Sequence, residues 1–408
     1  MNVGFIGLGK LGLPCAEAMA TKYSVTGFDI EDRYSDSVEV VTNVKDAVEN
    51  KDLVFVAIQT PHHPQYDGSM PCMDYEPQDF NYDQVKQCLG EVNQYANEHT
   101  LIVLISTVLP GTVRRELAPL ITQARFIYNP YLIAMGSVAW DMVNPEMVII
   151  GTEDGSETGD ASLLINFYKE LMQNNPRYSV GTWEEAESIK IFYNTFISAK
   201  LSLVNMIQDV AMKLGNMNVD VVTDALANST QRIMAPKYMT AGMGDGGPCH
   251  PRDNIALRYM AKELNLEYDL FHAIMNSREV QARNLANFLC DLSKKYELPV
   301  LIHGYAYKPD VPYTEGSYSS LVAHYCSKRG FHPMIIDPLT HPDPGPYSAV
   351  VLLAHNPSVT YNYMNNQQSN NLYCELYEDS VIVDPWRSFS NTRYKVIHYG
   401  NTRITQSH

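Results

Sequence analysis

The chain opens Met1-Asn2-Val3-Gly4-Phe5-Ile6-Gly7-Leu8-Gly9-Lys10-Leu11-Gly12. Residues 3–7 read as a short buried strand, and Gly12 begins an amphipathic stretch that runs to Lys22. Between them stands the pattern G-x-G-x-x-G. Alone it is a weak signal; between a strand and a helix, each glycine has a physical reason. Gly7 permits a tight turn, Gly9 lets the backbone approach a pyrophosphate, and Gly12 lets helix and strand pack closely. The turn through Lys10 and Leu11 then presents helix N-terminal N–H groups and the positive end of the dipole to phosphate oxygens. Asp29 ends the next strand, 22 residues after Gly7. A carboxylate there accepts hydrogen bonds from an adenosine ribose and repels a 2′-phosphate, which favours NAD over NADP.

Working outward, strands are expected at 3–7, 24–28, 53–58, 101–106, 126–128 and 147–151, with helices between them, for example at 12–22, 82–98 and 112–121. Such alternation predicts a parallel sheet covered on both faces. Residues 59–81 are rich in Pro, His, Asp and Tyr and long for a loop, so they are a candidate lid or rim. From 183 the period changes. Ala186, Ile189, Tyr193, Phe196, Val204, Ile207, Val210 and Leu214 recur at helical steps, which predicts one helix of about 30 residues ending at Gly215. Helical pattern continues through Cys290, broken by a glycine-rich stretch. Strand character returns at 300–303, 334–337, 349–353, 381–384 and 395–399, with a helix over 317–328. The expected class is α/β: two Rossmann-like doubly wound parallel-sheet domains, 1–180 and 297–408, joined by a central helical domain, 181–296, built on the long helix.

Composition narrows the function. Of 408 residues, 45% are hydrophobic and 19% charged, which leaves ample material for buried cores. Acids outnumber bases 46 to 30, a formal charge of -16. A diffuse acidic surface repels nucleic acid and anionic lipid, so neither is an expected partner. The longest apolar runs fall far short of the roughly 20 residues that span a bilayer, and the first residues do not read as a secretory signal. The seven cysteines are scattered, odd in number and without CxxC spacing. They argue for a reducing cytoplasm and against a disulfide framework or a metal site.

Two clusters carry chemistry. Cys249 sits in Gly246-Gly247-Pro248-Cys249-His250-Pro251-Arg252-Asp253. A lone cysteine is usually a small buried hydrophobe. Here glycines allow close approach, prolines restrict the loop, and Arg252 near an expected helix start lowers a thiol pKa, so the setting reads as a nucleophile. Lys190 and Asn194 are four apart on the long helix and share a face off its apolar stripe. A cation and an amide donor so placed can hold an oxyanion, although such a pair taken alone is more often a solvated face. His62 and His63 read as loop residues, since no carboxylates complete a metal site.

Together these features resemble the UDP-glucose/GDP-mannose dehydrogenase family, over essentially the whole chain. Further matching segments are Ile58-Gln59-Thr60-Pro61 before Asp67-Gly68, Ser106-Thr107-Val108 with Pro110-Gly111-Thr112, Asn129-Pro130, and Asn144-Pro145 through Gly151. Lys190-x-x-x-Asn194 matches the family's catalytic helix, and the Cys249 stretch resembles its G-G-S-C-F-P-K-D. Gly304-Tyr305-Ala306-Tyr307-Lys308 resembles G-x-A-F-K, Asp337-Pro338 resembles Y-D-P, and Asp384-Pro385-Trp386-Arg387 falls at a late D-x-R. The resemblance implies a two-step, four-electron oxidation at C6 of a nucleotide sugar, with Cys249 carrying a thiohemiacetal and then a thioester. It assigns Lys190 and Asn194 to the oxyanion, and Asp253 and Thr107 to the hydrolytic water. It adds Thr60, Pro61, Ser106 and Arg252 to the NAD site. Beside Lys190 and Asn194, it implies Tyr131, Leu132, Arg232, Met243, Gly244, Gly246, Tyr307, Lys308 and Arg387 as substrate-binding residues. The long central helices, with two apolar faces, favour a subunit partner, so a cytoplasmic homodimer formed through the helical connection is expected. UDP-glucose is the first expectation for the substrate, with GDP-mannose and UDP-N-acetylhexosamines open.

The sequence departs from the family pattern at two places. Where the family has N-P-E-F-L-x-E-G, this chain has Tyr131 and Met135 in place of the two glutamates. A phenol with a pKa near 10 is a poor base at neutral pH, so hydrolysis relies on Asp253 or another group, or is slow. After Lys308, Asp310 remains, but Tyr313 and Glu315 replace the family's second Asp and its Arg. Two rival readings are a two-electron β-hydroxyacid dehydrogenase, disfavoured by Cys249 and residues 299–408, and a catalytically reduced binding paralogue. Between them stands an enzyme that stalls at the aldehyde or thioester.

Overall fold

The structure is a computed structural model that describes residues 1–61, 79–133, 137–214, 216–234, 241–244, 251, 258, 261–358 and 372–401. Internal packing divides the chain into two compact units, Met1–Lys200 and Leu201–His408.

The first unit runs β1 (Asn2–Ile6), α1 (Gly12–Ala20), β2 (Ser24–Phe28), β3 (Glu39–Val41), α2 (Val44–Val48), β4 (Leu53–Val56), α3 (Asp83–Tyr95), β5 (Leu101–Leu104), β6 (Arg125–Tyr128), α4 (Val138–Val143), β7 (Met147–Thr152), α5 (Asp160–Leu171) and β8 (Arg177–Thr182). Among the described residues these strands form one sheet in the order β3-β2-β1-β4-β5-β6-β7-β8. Side chains alternate between its faces, and the sequence fills both. Val3, Phe5, Leu53, Phe55, Leu101 and Val103 enter one core. Ile6, Val54, Val56, Ile102 and Leu104 enter the other. The order reverses between β1 and β4, and ligands of such sheets bind at that switch, outside the carboxyl ends of the strands. Helix α6 (Trp183–Leu214) begins in this unit and ends in the next.

In the second unit follow α7 (Val219–Ala227), α8 (Leu270–Tyr296), β9 (Val300–His303), α9 (Tyr318–Lys328), β10 (Met334–Ile336), β11 (Val350–Leu353), β12 (Val381–Asp384) and β13 (Lys395–His398). The sheet order is β10-β9-β11-β12-β13, parallel throughout. Its switch point lies between β9 and β11. Val300, Ile302, Val350 and Leu352 pack on one face and Leu301, Val351 and Leu353 on the other.

The two doubly wound sheets and the long helix agree with the class read from sequence, with three corrections. β6 and β7 pair antiparallel, at Tyr128 and Gly151. A parallel return needs a crossover that covers a face, usually with a helix of a dozen residues or more in the connection. Among its described residues the link here carries only the short α4. The helix expected at 112–121 is a single wide turn, Val113–Leu117, followed by a tight one, Ala118–Leu120. Pro119 has no N–H to give and its ring clashes with the preceding turn, so the helix cannot continue. Strands β3 and β8 were not expected: β3 is three residues long, and β8 carries Arg177 and Gly181.

Candidate functional site

The first unit builds the cofactor cradle from β1, β2 and α1. Gly7 leaves β1 at φ +94°, a conformation glycine adopts without strain. A Cβ on Gly12 would lie 1.8 Å from the Gly7 carbonyl oxygen, so only glycine lets α1 start this close to the strand. Around Gly9 a Cβ would meet nothing within 4 Å: the backbone there faces open space that a ligand can enter. Helix α1 has no side-chain cap and no acidic residue in its first turn. The Asp29 carboxylate accepts the Leu8 N–H at 2.7 Å and the Glu31 N–H at 2.9 Å, which ties the end of β2 to the glycine turn. These residues fit a dinucleotide, with its pyrophosphate on the glycine turn and its adenosine ribose at Asp29. Arg33, not singled out from sequence, pairs with Glu31 at 2.5 Å and lies 3.7 Å from Asp29.

The loops after β4 and β5 are stitched together. Ser106 Oγ donates to the Ile58 carbonyl at 2.6 Å, and Thr60 Oγ1 donates to the Thr107 carbonyl at 2.6 Å. The Pro61 carbonyl accepts the Asn81 N–H at 2.9 Å. Both hydroxyl protons are thus engaged by backbone, and the hydroxyl oxygens remain as acceptors.

Beyond β6 the chain turns through Asn129, Pro130, Tyr131 and Leu132 toward α6. Lys190 Nζ donates to the main-chain carbonyl of Tyr131 at 2.6 Å, and burial draws the Lys190 pKa down. Asn194 stands one turn further along the helix and is exposed. The Tyr131 side chain turns the other way. Its hydroxyl lies 2.9 Å from that of Tyr168, whose own proton goes to Asn129 Oδ1. The Asn129 amide is fixed by donating to the Ile149 carbonyl at 2.6 Å. The order of donors means that Tyr131 donates and Tyr168 accepts. Burial, with the neighbouring Tyr168, pushes the Tyr131 pKa well above the ordinary phenol value. Tyr131 thus offers Lys190 a carbonyl, while its phenol is held in the core as a hydrogen-bond donor.

The second unit holds a cleft of about 240 Å³ at the carboxyl ends of β9 and β11. Four of the sequence-expected substrate residues line it together: Met243, Gly244, Tyr307 and Lys308. The loop through 304–308 is held from both sides. Asp337 accepts the N–H groups of Tyr305 and Ala306 at 2.9 Å each. His355 Nε2 lies 2.9 Å from the Ala306 carbonyl and its Nδ1 lies 2.9 Å from the Tyr373 hydroxyl. Those partners assign the proton to Nε2, since a carbonyl can only accept. Lys308 has its ammonium 5.4 Å from the Tyr307 ring. The glycines of 241–244 are required by contact. A Cβ on Gly242 would meet the Trp386 ring at 2.4 Å, and one on Gly244 the Tyr318 ring at 2.2 Å.

Arg387 stands otherwise than expected for a diphosphate ligand. Its guanidinium donates to the carbonyls of Ala241 at 2.6 Å, Tyr399 at 3.1 Å and Pro385. It fastens the 241–244 loop to the sheet. Arg232 is exposed in the turn after α7 and does not line the cleft. Cys249, Gly246, Arg252 and Asp253, like Met135, lie outside the described residues. Tyr168, Asn129, Glu187 and His355 were not picked out from sequence as site residues. Asn129 stood in a matched motif, but nothing in pattern or spacing marks the other three.

The first unit has the fold and glycine turn of a dinucleotide-binding domain, and the second holds a cleft at the switch point of its own sheet. Two family models match the chain: the UDP-glucose/GDP-mannose dehydrogenase family NAD binding domain over residues 31–172, and the central domain of the same family over 184–279. Together they cover more than half of it. The chain belongs to the UDP-glucose/GDP-mannose dehydrogenase family, and is an NAD-dependent nucleotide-sugar dehydrogenase by that membership. The glycine turn and Asp29 precede the matched residues, so their assignment rests on the geometry above. The UDP-glucose 6-dehydrogenase of Pongo abelii is 25% identical over 374 residues, 88% of this chain and 72% of that protein. The GDP-mannose 6-dehydrogenase of Pseudomonas aeruginosa is 27% identical over 318 residues, 69% of each. The crystal structure of a ternary complex of GDP-mannose dehydrogenase from Pseudomonas aeruginosa matches with a TM-score of 0.78 at 20% identity, over 97% of this chain and 99% of that one, a likeness of fold. No helix among the described residues is long and apolar enough to cross a membrane.

Proposed function

We propose that this enzyme oxidises the C6 hydroxyl of a nucleotide sugar to the carboxylate, with UDP-glucose as the first candidate and UDP-glucuronate as product. The observation that carries the reading is Lys190, half-buried on α6 and hydrogen-bonded to the Tyr131 carbonyl, in the same unit as the dinucleotide cradle. A partly desolvated ammonium is a strong stabiliser of a developing oxyanion. Bound NAD, held by Gly7, Gly9, Gly12 and Asp29, supplies the hydride acceptor, once for each oxidation. The alcohol loses a proton and a hydride to give the aldehyde. The Cys249 thiolate adds to that carbonyl, and the hemithioacetal oxygen rests between Lys190 and Asn194. Loss of a second hydride leaves a thioester. Water, held by Thr107 and Asp253, attacks the thioester carbonyl, and the carboxylate leaves as the thiol is restored.

The cleft of the second unit takes the nucleotide end of the substrate, with Lys308 as the cation for its diphosphate and Tyr307, Met243 and Gly244 as its walls. Arg387 acts there by holding the 241–244 loop. Residues 181–296 serve as the catalytic and dimerisation segment between the domains at 1–180 and 297–408. Support for a homodimer comes from α6, where Phe192 is 63% and Phe196 52% exposed one turn apart. Apolar side chains so exposed on a long helix favour a helical partner. The free cysteines of the described residues agree with a cytoplasmic setting.

One observation favours a second reading. The Tyr131 phenol is committed to Tyr168, so no acid/base group stands at the position where relatives of this family carry a glutamate. An enzyme without that group holds the thioester longer, and in the limit stalls there. The two readings separate in an intact-mass experiment on enzyme mixed with NAD and a nucleotide sugar. Full turnover gives free Cys249 at steady state. A stall gives a mass increment on Cys249 that Cys249→Ser abolishes. Absence of NAD reduction with every nucleotide sugar would overturn both.

A further inference from the structure

Helix α6 carries, one turn before Lys190, a carboxylate that the reaction above does not use. Glu187 has no exposed surface. Its Oε1 accepts the Val113 N–H at 2.7 Å and its Oε2 accepts the Gly111 N–H at 2.5 Å. Both donors belong to the segment that follows Ser106, Thr107 and Val108. Burial raises the Glu187 pKa, and these two N–H bonds pull it back. A carboxylate placed in a core is costly unless its lone pairs are well satisfied.

The same segment is fixed elsewhere along its length. Thr60 holds the Thr107 carbonyl. The Tyr82 hydroxyl accepts the Leu109 N–H at 3.2 Å. Arg114 pairs with Glu184 of α6 at 2.5 Å and lies over the Trp183 ring at 4.9 Å. Of these contacts, Glu187 is the buried one that links the Thr107 loop to α6 close to Lys190. Lys190 in turn bonds to the loop after β6. One turn of α6 therefore references both strand-end loops to the same helix.

We propose that Glu187 is a positioning residue: its two hydrogen bonds to Gly111 and Val113 set the distance between Thr107 and the Lys190–Asn194 face of α6. The role rests on the reading of Lys190 and Thr107 given above. It acts on the chemical step more than on cofactor binding, because Gly7–Gly12 and Asp29 belong to other elements and Ser106 and Thr60 keep their own bonds to the Ile58 and Thr107 carbonyls. Misplacement of a reacting group by about 1 Å is enough to lower a rate up to about 100-fold.

The test compares Glu187→Gln, Glu187→Asp and Val85→Ala in the full-length enzyme. Gln keeps the shape but turns an amide donor toward one of the two N–H groups. Asp keeps the charge but is one methylene too short to reach both. Val85, on α3, is fully buried in the core that also holds Val113 and makes no polar bond to the loop, so its truncation reports loss of packing. NADH titration by fluorescence shows which variants are folded. The expected result is a kcat lowered about tenfold or more in both Glu187 variants, with the NADH dissociation constant changed less than about threefold. Val85→Ala lowers the melting temperature and leaves kcat per folded molecule unchanged. A kcat within about twofold of wild type in either folded Glu187 variant overturns the proposal, as does a loss of kcat matched by Val85→Ala. A wild-type chain inert toward every nucleotide sugar overturns the reading of the reaction itself, and this role with it.

Discussion

Replacing Tyr131 by Phe removes one oxygen and tests what that side chain does. The Tyr131 hydroxyl donates to Tyr168 at 2.9 Å, and Tyr168 still donates to Asn129 once its neighbour is gone. The substitution therefore deletes one partly buried hydrogen bond and strands no donor. A net loss of about 1 kcal/mol follows, the central value for such deletions. In a unit of this size it lowers the melting temperature by about 2–4 °C. The catalytic consequence separates the readings more sharply. A general base is worth about 10²–10⁴ in rate. A phenol held as a donor in the core, with its pKa raised by burial, supplies none of that. We expect Tyr131→Phe to keep kcat within about twofold of wild type, measured as NADH absorbance with saturating nucleotide sugar. A kcat loss of about 100-fold with NADH binding intact would show that the hydroxyl takes part in the chemistry, and the inward orientation would be the wrong one.

Three more outcomes follow from the geometry. Asp29→Ala removes the acceptor of the Leu8 N–H together with the ribose ligand, so the NADH dissociation constant rises about tenfold or more in a fluorescence titration; an unchanged value would place the cofactor elsewhere. Arg387→Ala releases the 241–244 loop and raises KM for the nucleotide sugar about tenfold while leaving NADH affinity alone, and equal KM values would mean that the loop does not shape the cleft. His303 is buried and neutral, with its pKa pushed down from 6.5 to about 3, and His355 shifts in the same direction. The unfolded chain thus binds more protons below pH 6.5, so this stabilisation is complete above that pH and is lost as pH falls toward 3, by about 1.4 kcal/mol per unit for His303. A urea midpoint for the second unit that stays constant from pH 7.5 to 5 would refute the buried neutral state.

Much of the fold follows from local rules that a sequence exposes. The glycine turn, the alternating apolar strands and the 32-residue helix Trp183–Leu214 all obey periods or turn requirements written in a few adjacent residues. What escaped depends on partners distant in the chain. The direction of β7 is set by what the link after β6 is long enough to cover. Residues at the strand ends were readable as motifs, but their duties were not. Arg387 looks like a phosphate cation in sequence and acts on three carbonyls in the structure. Tyr131 reads as a substituted catalytic position, and only Tyr168, 37 residues away, shows where its hydroxyl goes. Glu187 sits in a helix rich in charge, and its burial depends on the loop after β5, 74 residues earlier.

The central claim is a complete oxidation carried out by Lys190, Asn194 and Cys249 without a glutamate at position 131. It is tested most directly by the NADH formed per molecule of nucleotide sugar consumed, across a panel of UDP- and GDP-sugars. The account predicts two NADH per sugar, sustained over many turnovers. One NADH per sugar, or a burst equal to the enzyme concentration that then stops, would contradict it and place the end of the reaction at the aldehyde or the thioester.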